Sequence, residues 1–299
     1  MSLQSTASGA VVSAAMKIRE GFATFGVELP YDEKFVKAHV TDIMLYKAFA
    51  VVILVLWATL SEVSLSSLVT LSSGVQCFAF LLLARQANEQ GTVRGISRKM
   101  LLTYAFALSC RLSSTLLYMG YLPVDKSGQH LYQAFDLATL VVVLGLAFAC
   151  MQRYPSAAED SFCVSVPIVV SLVLAWLVHP ELNHRQVADG AWMASVWLEA
   201  VAFCPQIWMV AKAGRSQALT SHFVAVSFAA RCMLAFFWLE AYPQLKIWKH
   251  VYGEGVTTHL YPGYVVVGAY SLQVIVMADF VYAYAKALTG SRSNGNIEL

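Results

Sequence analysis

The sequence contains few charged residues. Only 13% of its 299 residues are Asp, Glu, Lys or Arg, about half the share of a typical soluble domain, which is roughly 25%. Hydrophobic residues make up 58% of the chain, and the mean hydropathy is +0.61. The net charge of +2 and the lack of a basic tract give no indication of a nucleic-acid partner. This composition predicts a polytopic membrane protein.

The sequence also lacks the patterns of common metal and catalytic sites. Its six cysteines fall inside apolar spans and match no zinc pattern, and buried cysteine behaves as a small hydrophobe. We therefore expect no metal, no cofactor and no disulfide. No nucleophile–base pair or phosphate-binding glycine loop is present, so an enzyme is the least favoured class. The N-terminus has no apolar segment of the secretory-signal type.

Long apolar runs recur along the chain, and most have about the 20 residues needed to cross a hydrocarbon core of roughly 30 Å. The eight predicted spans are Ile43–Leu60, Leu65–Arg85, Leu101–Tyr121, Leu131–Met151, Phe162–His179, Ala191–Ala211, His222–Ala241 and Tyr264–Lys286. The first is interpreted as an extra transmembrane helix, at residues 43–60, before a seven-helix domain at 65–288. Residues 1–42 are predicted to be a cytosolic arm and 289–299 a disordered cytosolic tail. Lys and Arg in the short loops favour this orientation.

Two of the predicted spans carry an ionisable residue near the middle, Glu199 in one and Arg231 in the next. A charge at membrane depth is costly and indicates a functional site by default. Residues seven apart share a helix face, which places Trp192 with Glu199 and Arg231 with Trp238. We expect these faces to turn inward, toward each other and a wet cavity. Pro205 predicts a kink in the first of these helices.

A second arginine, Arg111, lies within another predicted span, and Asp136 lies within the next. Two interpretations of these charges remain open. The arginines could hold helices together, Arg111 with Asp136 and Arg231 with Glu199. Alternatively, they could form a cationic pocket for an anionic ligand, since guanidinium groups match carboxylates in geometry and charge.

Five stretches of the sequence resemble the ER lumen protein-retaining receptors, or KDEL receptors. These stretches are GISRKMLLTYAFALSCR (95–111), SVPIVVSLVLAWLV (165–178), WMASVWLEAVAFCPQIWMVAKAG (192–214), LTSHFVAVSFAARCMLAFFW (219–238) and QVIVMADFVYAYAKAL (273–288). The combination is specific: GIS followed by Arg111, the pattern W-x6-E-x5-PQ, and TSH before Arg231. The resemblance covers about three quarters of the chain.

The resemblance implies an all-α membrane fold related to the PQ-loop and SWEET transporters. Two three-helix bundles would be joined by an inverting helix, here Phe162–His179, with a polar cavity between the halves. It also implies a receptor that binds the C-terminal KDEL/HDEL-type retrieval signals of ER residents and returns them from the Golgi. The expected location is the ER and cis-Golgi membranes, with membrane lipid and, as a candidate, the COPI coat as further partners. The alternative function is a small-solute transporter of the PQ-loop or SWEET type.

The resemblance further implies a set of ligand-binding residues, namely Arg111, Arg231, Trp192, Trp238, Glu199, Asp189 and Ser114. Arg111 would bind the terminal carboxylate of the signal and Arg231 an acidic side chain. Asp189 and Trp238 would contact the lysine of the signal. Glu199 corresponds to the proton-sensing glutamate of the family.

Several positions differ from the family pattern. Ser67 and Gly74 align with an arginine and a pH-sensing histidine of the first family helix, and Ser114 aligns with an acidic residue. Trp192, in contrast, matches a residue that lines the cavity in the family. Three further positions lose a polar side chain, namely Ala230, Leu234 and Ala241. The changes concern the ligand and the pH response rather than the fold.

Overall fold

The computed structural model describes residues 44, 47–49, 51, 55, 66–89, 91–93, 95–118, 129–153, 160–180, 185–213, 218–242 and 261–290. Side chains are described within these ranges except at 66, 129, 153, 210–213, 218–222, 261–262, 279–280 and 283–290. The chain forms two compact units, Met1–Thr59 and Leu60–Leu299. In the first unit the described positions are helical. The predicted arm at 1–42, most of the predicted extra helix at 43–60 and residues 291–299 lie outside the described residues.

The described part of the second unit consists of helices joined by turns and irregular segments. Its helices are α1 (Ser66–Glu89), α2 (Arg98–Thr115), α3 (Gln129–Arg153), α4 (Ser165–Leu177), α5 (Gln186–Ala202), α6 (Cys204–Ala213), α7 (Ala218–Ala241) and α8 (Tyr261–Gly290). The described residues contain no strand. The predicted all-α fold is confirmed.

Four described helical segments are long and apolar enough to cross a membrane, namely Ser67–Glu89, His130–Gln152, Gln186–Met209 and Phe223–Ala241. Ser165–Leu177 and Gly263–Ala278 are shorter apolar helices. Helix α2 has 18 residues and includes three cations, which lowers its hydropathy. Because α5 and α6 share one apolar segment, the described helices correspond to the seven predicted spans.

The break between α5 and α6 occurs at Phe203, a turn residue two positions before Pro205. Proline has no N–H to donate and clashes with the preceding turn of a continuous helix. It is tolerated in the first turn of a new helix, and Pro205 is the second residue of α6. The predicted kink is therefore present as a break.

The helices pack as two groups of three. Helix α3 packs against α1 and α2, and α8 packs against α5 and α7 in the same way. The two groups meet along two seams, α1 against α7 and α2 against α5. If α5 is taken as the repeat of α1, and α7 as the repeat of α2, the seam between α1 and α7 is equivalent to the seam between α5 and α2. This arrangement agrees with two parallel three-helix repeats separated by one inverting helix, α4.

Helix α4 packs against α5 through a narrow strip of small residues. Only Ser171 and Ala175 of this helix are buried, and they lie one turn apart on the same face. Small residues let two helix backbones approach closely in a membrane, where apolar area alone gives little driving force. The remaining face of α4 presents large apolar side chains, including Trp176, as expected for contact with lipid.

Candidate functional site

Four charged side chains from four helices meet between the two bundles. Arg111 of α2 contacts Asp136 of α3 at two points: Nη2 donates a hydrogen bond to Oδ1 at 3.0 Å, and Nε lies 2.8 Å from Oδ2. Its Nη1 lies 2.9 Å from Oε1 of Glu199 on α5. Arg231 of α7 donates from Nη1 to Oε2 of the same glutamate at 2.7 Å. We call these four residues the charge network.

The charge network is buried and electrically balanced. The exposed fraction of the side chain is 13% for Arg111, 3% for Asp136 and Arg231, and 0% for Glu199. Burying an isolated ion costs several kcal/mol, and this cost is offset only where opposite charges and hydrogen bonds surround it. Two arginines facing two carboxylates satisfy that requirement. One interpretation of the sequence was that the arginines hold helices together. Both of its pairs, Arg111 with Asp136 and Arg231 with Glu199, are present in the structure.

Arg231 is further enclosed by aromatic side chains. Its Nη2 donates a hydrogen bond to the hydroxyl of Tyr104 at 2.7 Å. The guanidinium carbon lies 5.5 Å from the ring centroid of Tyr104 and 5.9 Å from that of Phe203, within the range of cation–π attraction. Its Nε has no hydrogen-bond partner among the described residues. One buried donor of this arginine thus remains available.

Trp192 and Trp238 meet on the second-bundle side of the site. Their rings are in edge-to-face contact with centroids 5.4 Å apart. Tyr270 of α8 stacks on Trp238 at 6.0 Å with an angle of 10° between the ring planes. All three side chains are buried. The structure brings the two predicted tryptophans together and adds the tyrosine.

Ser114 and Asp189 lie away from the charge network, toward the start of α5. The hydroxyl of Ser114 donates to the backbone carbonyl of Ala188 at 2.6 Å, which joins the end of α2 to α5. Asp189 is fully buried and lies ten residues before Glu199, about 15 Å along a helix. The predicted site residues therefore form one central group and one group nearer the helix ends.

Apart from Ser114 on α2, the positions that differ from the family pattern lie on α1 and α7. Gly74 is buried, and the neighbouring polar residues make neutral hydrogen bonds across the seam. Ser72 donates to the carbonyl of Ala230 at 2.9 Å, and Gln76 donates to Ser227 at 3.1 Å. No charged group of the described residues takes part in either bond. Neutral hydrogen bonds thus connect α1 to α7 here.

At the opposite end of α2, the side chain of Gln206 connects the two bundles. Its Oε1 accepts from the backbone N–H of Ser97 at 2.8 Å, and its Nε2 donates to the carbonyl of Gly95 at 2.9 Å. Gly95 has a φ of 90°, which favours glycine. Ser97 caps α2 by accepting from the N–H of Met100. One amide from α6 thus fixes the turn that precedes α2.

Sequence reasoning did not include Asp136, Tyr104 or Tyr270 among the ligand-binding residues. Asp136 belongs to the intramembrane polar residues that indicate a functional site, but its expected role was that of a structural partner of Arg111. Tyr104 precedes Arg111 by seven residues and shares its helix face, which could have identified it. Nothing in the sequence near Tyr270 indicates its position beside Trp238.

A family model described as ER lumen protein retaining receptor matches residues 92–241, half of the chain. Two relatives are 24% identical over 72% of this chain: the ER lumen protein-retaining receptor erd-2.2 of Caenorhabditis elegans, of which 90% is covered, and the ER lumen protein-retaining receptor of Drosophila melanogaster, of which 92% is covered. The ER lumen protein-retaining receptor erd-2.1 of Caenorhabditis elegans is 28% identical over 50% of this chain and 64% of its own length. The match to a Caenorhabditis briggsae receptor covers 51% of that protein.

Proposed function

The chain belongs to the ER lumen protein-retaining receptor family, and from this premise we propose that it binds C-terminal KDEL/HDEL-type retrieval signals. In this proposal it recognises ER residents that have reached the Golgi and returns them to the ER. The named relatives are receptors, which disfavours the alternative of a small-solute transporter. The proposed location is the ER and cis-Golgi membranes, with the COPI coat and membrane lipid as proposed partners.

The observation that carries the proposal is the meeting of two arginines at the seam between the bundles. A peptide that ends in an acidic residue and a free carboxylate offers two negative groups close together. Guanidinium groups bind carboxylates with charge-assisted, directional hydrogen bonds. Arg111 would take the terminal carboxylate, and Arg231, which has a spare buried Nε donor, would take the acidic side chain.

The remaining predicted residues would contact the rest of the signal. Trp238 presents an aromatic ring at the site, and aromatic faces attract cations such as lysine. Trp192 supports that ring by edge-to-face contact. Asp189 and Ser114 lie nearer the helix ends, where the signal would enter. This order agrees with a peptide whose C-terminus lies deepest.

Direct binding tests the proposal. We would measure the affinity of the purified protein for a peptide ending in Lys-Asp-Glu-Leu at pH about 5.5 and about 7.4, since proton-linked binding changes between such values. The same peptide with an amidated C-terminus is the control ligand. We expect binding that is tighter at acid pH and is lost on amidation.

Variants connect that binding to the site. Arg111→Ala should weaken binding at least about 30-fold, because losing one partner of a buried charge pair costs about 2 kcal/mol or more. Arg85→Ala is the matched control, since its pair with Glu89 lies on the helix surface and such pairs contribute little. Equal binding of the free and amidated peptides would contradict the proposed function.

A further inference from the structure

All three guanidinium nitrogens of Arg111 already lie within ion-pair distance of carboxylates of the same chain. The edge formed by Nε and Nη2 faces both oxygens of Asp136, at 2.8 and 3.0 Å. The remaining nitrogen, Nη1, faces Glu199 at 2.9 Å. A guanidinium binds a carboxylate best through two parallel N–H groups. A ligand carboxylate can therefore gain such a pair at Arg111 only by displacing an internal one.

The two internal carboxylates differ in what their displacement would leave behind. Glu199 also contacts Arg231, so moving or neutralising it would leave two buried arginines facing Asp136 alone. Among the described residues, Asp136 contacts no arginine other than Arg111. Displacing Asp136 leaves the pair between Glu199 and Arg231 intact. Asp136 is thus the carboxylate whose displacement costs less free energy.

We propose that Asp136 is a built-in competitor of the ligand. Its carboxylate occupies the position of the ligand carboxylate at Arg111, and it leaves that position when Asp136 takes up a proton. The proposal rests on the proposed function, since it concerns the same site. Asp136 is 2% exposed, and an ionised carboxylate deprived of its partner in such a place would be strongly unfavourable. A neutral carboxylic acid is not. One ligand carboxylate would therefore enter for each proton that Asp136 takes up, and the charge of the site would stay constant.

The surroundings of Asp136 offer few other groups that could take this proton. It interacts electrostatically with Arg111 and Tyr104 of α2 and with Glu199 of α5. The described groups on α1 that interact with it are the hydroxyl of Ser73 and the thiol of Cys77, and its own helix contributes Tyr132. The phenols and the thiol do not gain protons near neutral pH, because they already carry them. Among the described residues, Glu199 is the other carboxylate that interacts with Asp136, and it contacts both arginines.

This arrangement would give acid-favoured binding without a histidine on α1. The residue at the aligned position is Gly74, which has no side chain to titrate. Uptake of one proton per ligand changes the affinity by about tenfold per pH unit over the range in which that proton is exchanged. The direction is fixed: lowering the pH supplies the proton and strengthens binding.

The test compares Asp136→Asn with the unaltered protein in the peptide assay at both pH values. Asparagine has the shape of aspartic acid but holds no negative charge to compete for Arg111. We expect the variant to bind the Lys-Asp-Glu-Leu peptide at about pH 7.4 nearly as tightly as at about 5.5, with the pH ratio reduced toward one. Asp136→Glu, which keeps a titratable carboxylate, should keep the pH dependence. Glu240→Gln, a change at an exposed residue of α7, should leave both affinities unaltered.

Each outcome decides between the two proposals. If the unaltered protein binds and Asp136→Asn keeps the full pH ratio, the competitor role is wrong while the proposed function stands. If neither protein binds the peptide at either pH, the proposed function fails and the competitor role fails with it. Should Asp136→Asn not fold, calorimetry of the unaltered protein in buffers of different ionisation enthalpy provides the second measurement. Uptake of one proton per peptide supports the proposal, and uptake of none overturns it.

Discussion

Glu199 is the carboxylate that both arginines of the charge network share, so its replacement by glutamine should be strongly destabilising. Glutamine keeps the size and one acceptor oxygen but removes the negative charge. Of the charge network, Asp136 would then be the carboxylate left for two arginines, and it contacts Arg111, so the buried charge of Arg231 would lose its counterion. Removing one partner of a buried ion pair typically costs about 3–5 kcal/mol, a large part of a total stability of about 5–15 kcal/mol.

The expected loss is measurable as a shift of the unfolding midpoint. For a domain of about this size, 1 kcal/mol corresponds to about 2–4 °C, so Tm should fall by about 6–20 °C. Intrinsic tryptophan fluorescence during heating of the purified protein in detergent reports this midpoint. Glu240→Gln makes the same chemical change at an exposed residue of α7 and should shift Tm by no more than about 2 °C.

A double variant separates the charge effect from a general packing defect. Adding Arg231→Met to Glu199→Gln restores the balance, because Arg111 and Asp136 remain as a pair. We expect the double variant to be more stable than the single one, with a coupling energy of about 2 kcal/mol or more. A single-variant shift below about 2 °C, or a double variant as unstable as the sum of its parts, would refute the account of the network as a compensated set of charges.

Three other substitutions test the packing around the site by the same thermal measurement, with Gly145→Ala as their shared control. A Cβ at Gly145 meets nothing within 4 Å, so this helix-interior change should leave Tm unaltered or raise it. Gly95→Ala should lower stability by about 1–2 kcal/mol, because φ is 90° there and L residues resist the left-handed region. Gly263→Ala should also destabilise, since its Cβ would lie 2.8 Å from the carbonyl oxygen of Tyr242, and an unchanged Tm would show that α8 can shift. Gln206→Leu would leave a buried N–H and a buried carbonyl without partners, at about 1–3 kcal/mol for each group, and a loss below about 1 kcal/mol would contradict the importance of its two hydrogen bonds.

Hydropathy predicted the helices of the second unit well, but it placed their ends less accurately. The span predicted at Leu101–Tyr121 corresponds to α2 at Arg98–Thr115. Ser97 begins that helix by capping it, and the polar residues that follow lie outside any apolar window. The span predicted at Ala191–Ala211 begins earlier, at Gln186, and contains the break at Phe203. Apolar windows detect the lipid-facing part of a helix, whereas its ends depend on capping and turn residues.

The sequence identified most of the charges at the site but left their pairing open. Arg111, Glu199 and Arg231 were selected because ionisable residues are rare at membrane depth. Which carboxylate faces which arginine depends on how helices far apart in sequence rotate about their axes, and the helical period of one segment does not determine this. Tyr104 was missed for a related reason, because a tyrosine in an apolar helix is usually part of the packing. Its role depends on the position of Arg231, 127 residues later.

The hydrogen bonds at the two ends of α2 affect how this helix can tilt. At one end the amide of Gln206 makes two hydrogen bonds to the turn before the helix, and Asp160 accepts from the hydroxyl of Ser97 and the backbone N–H of Lys99. At the other end Ser114 donates to α5, and Gln133 of α3 donates to the carbonyl of Thr115. Ser97 and Ser114 are 17 residues apart, about 25 Å along the helix. If α2 tilts about the end that Gln206 holds, the Ser114 end moves furthest. A tilt of about 5° about the Gln206 end would displace the Ser114 end by about 2 Å.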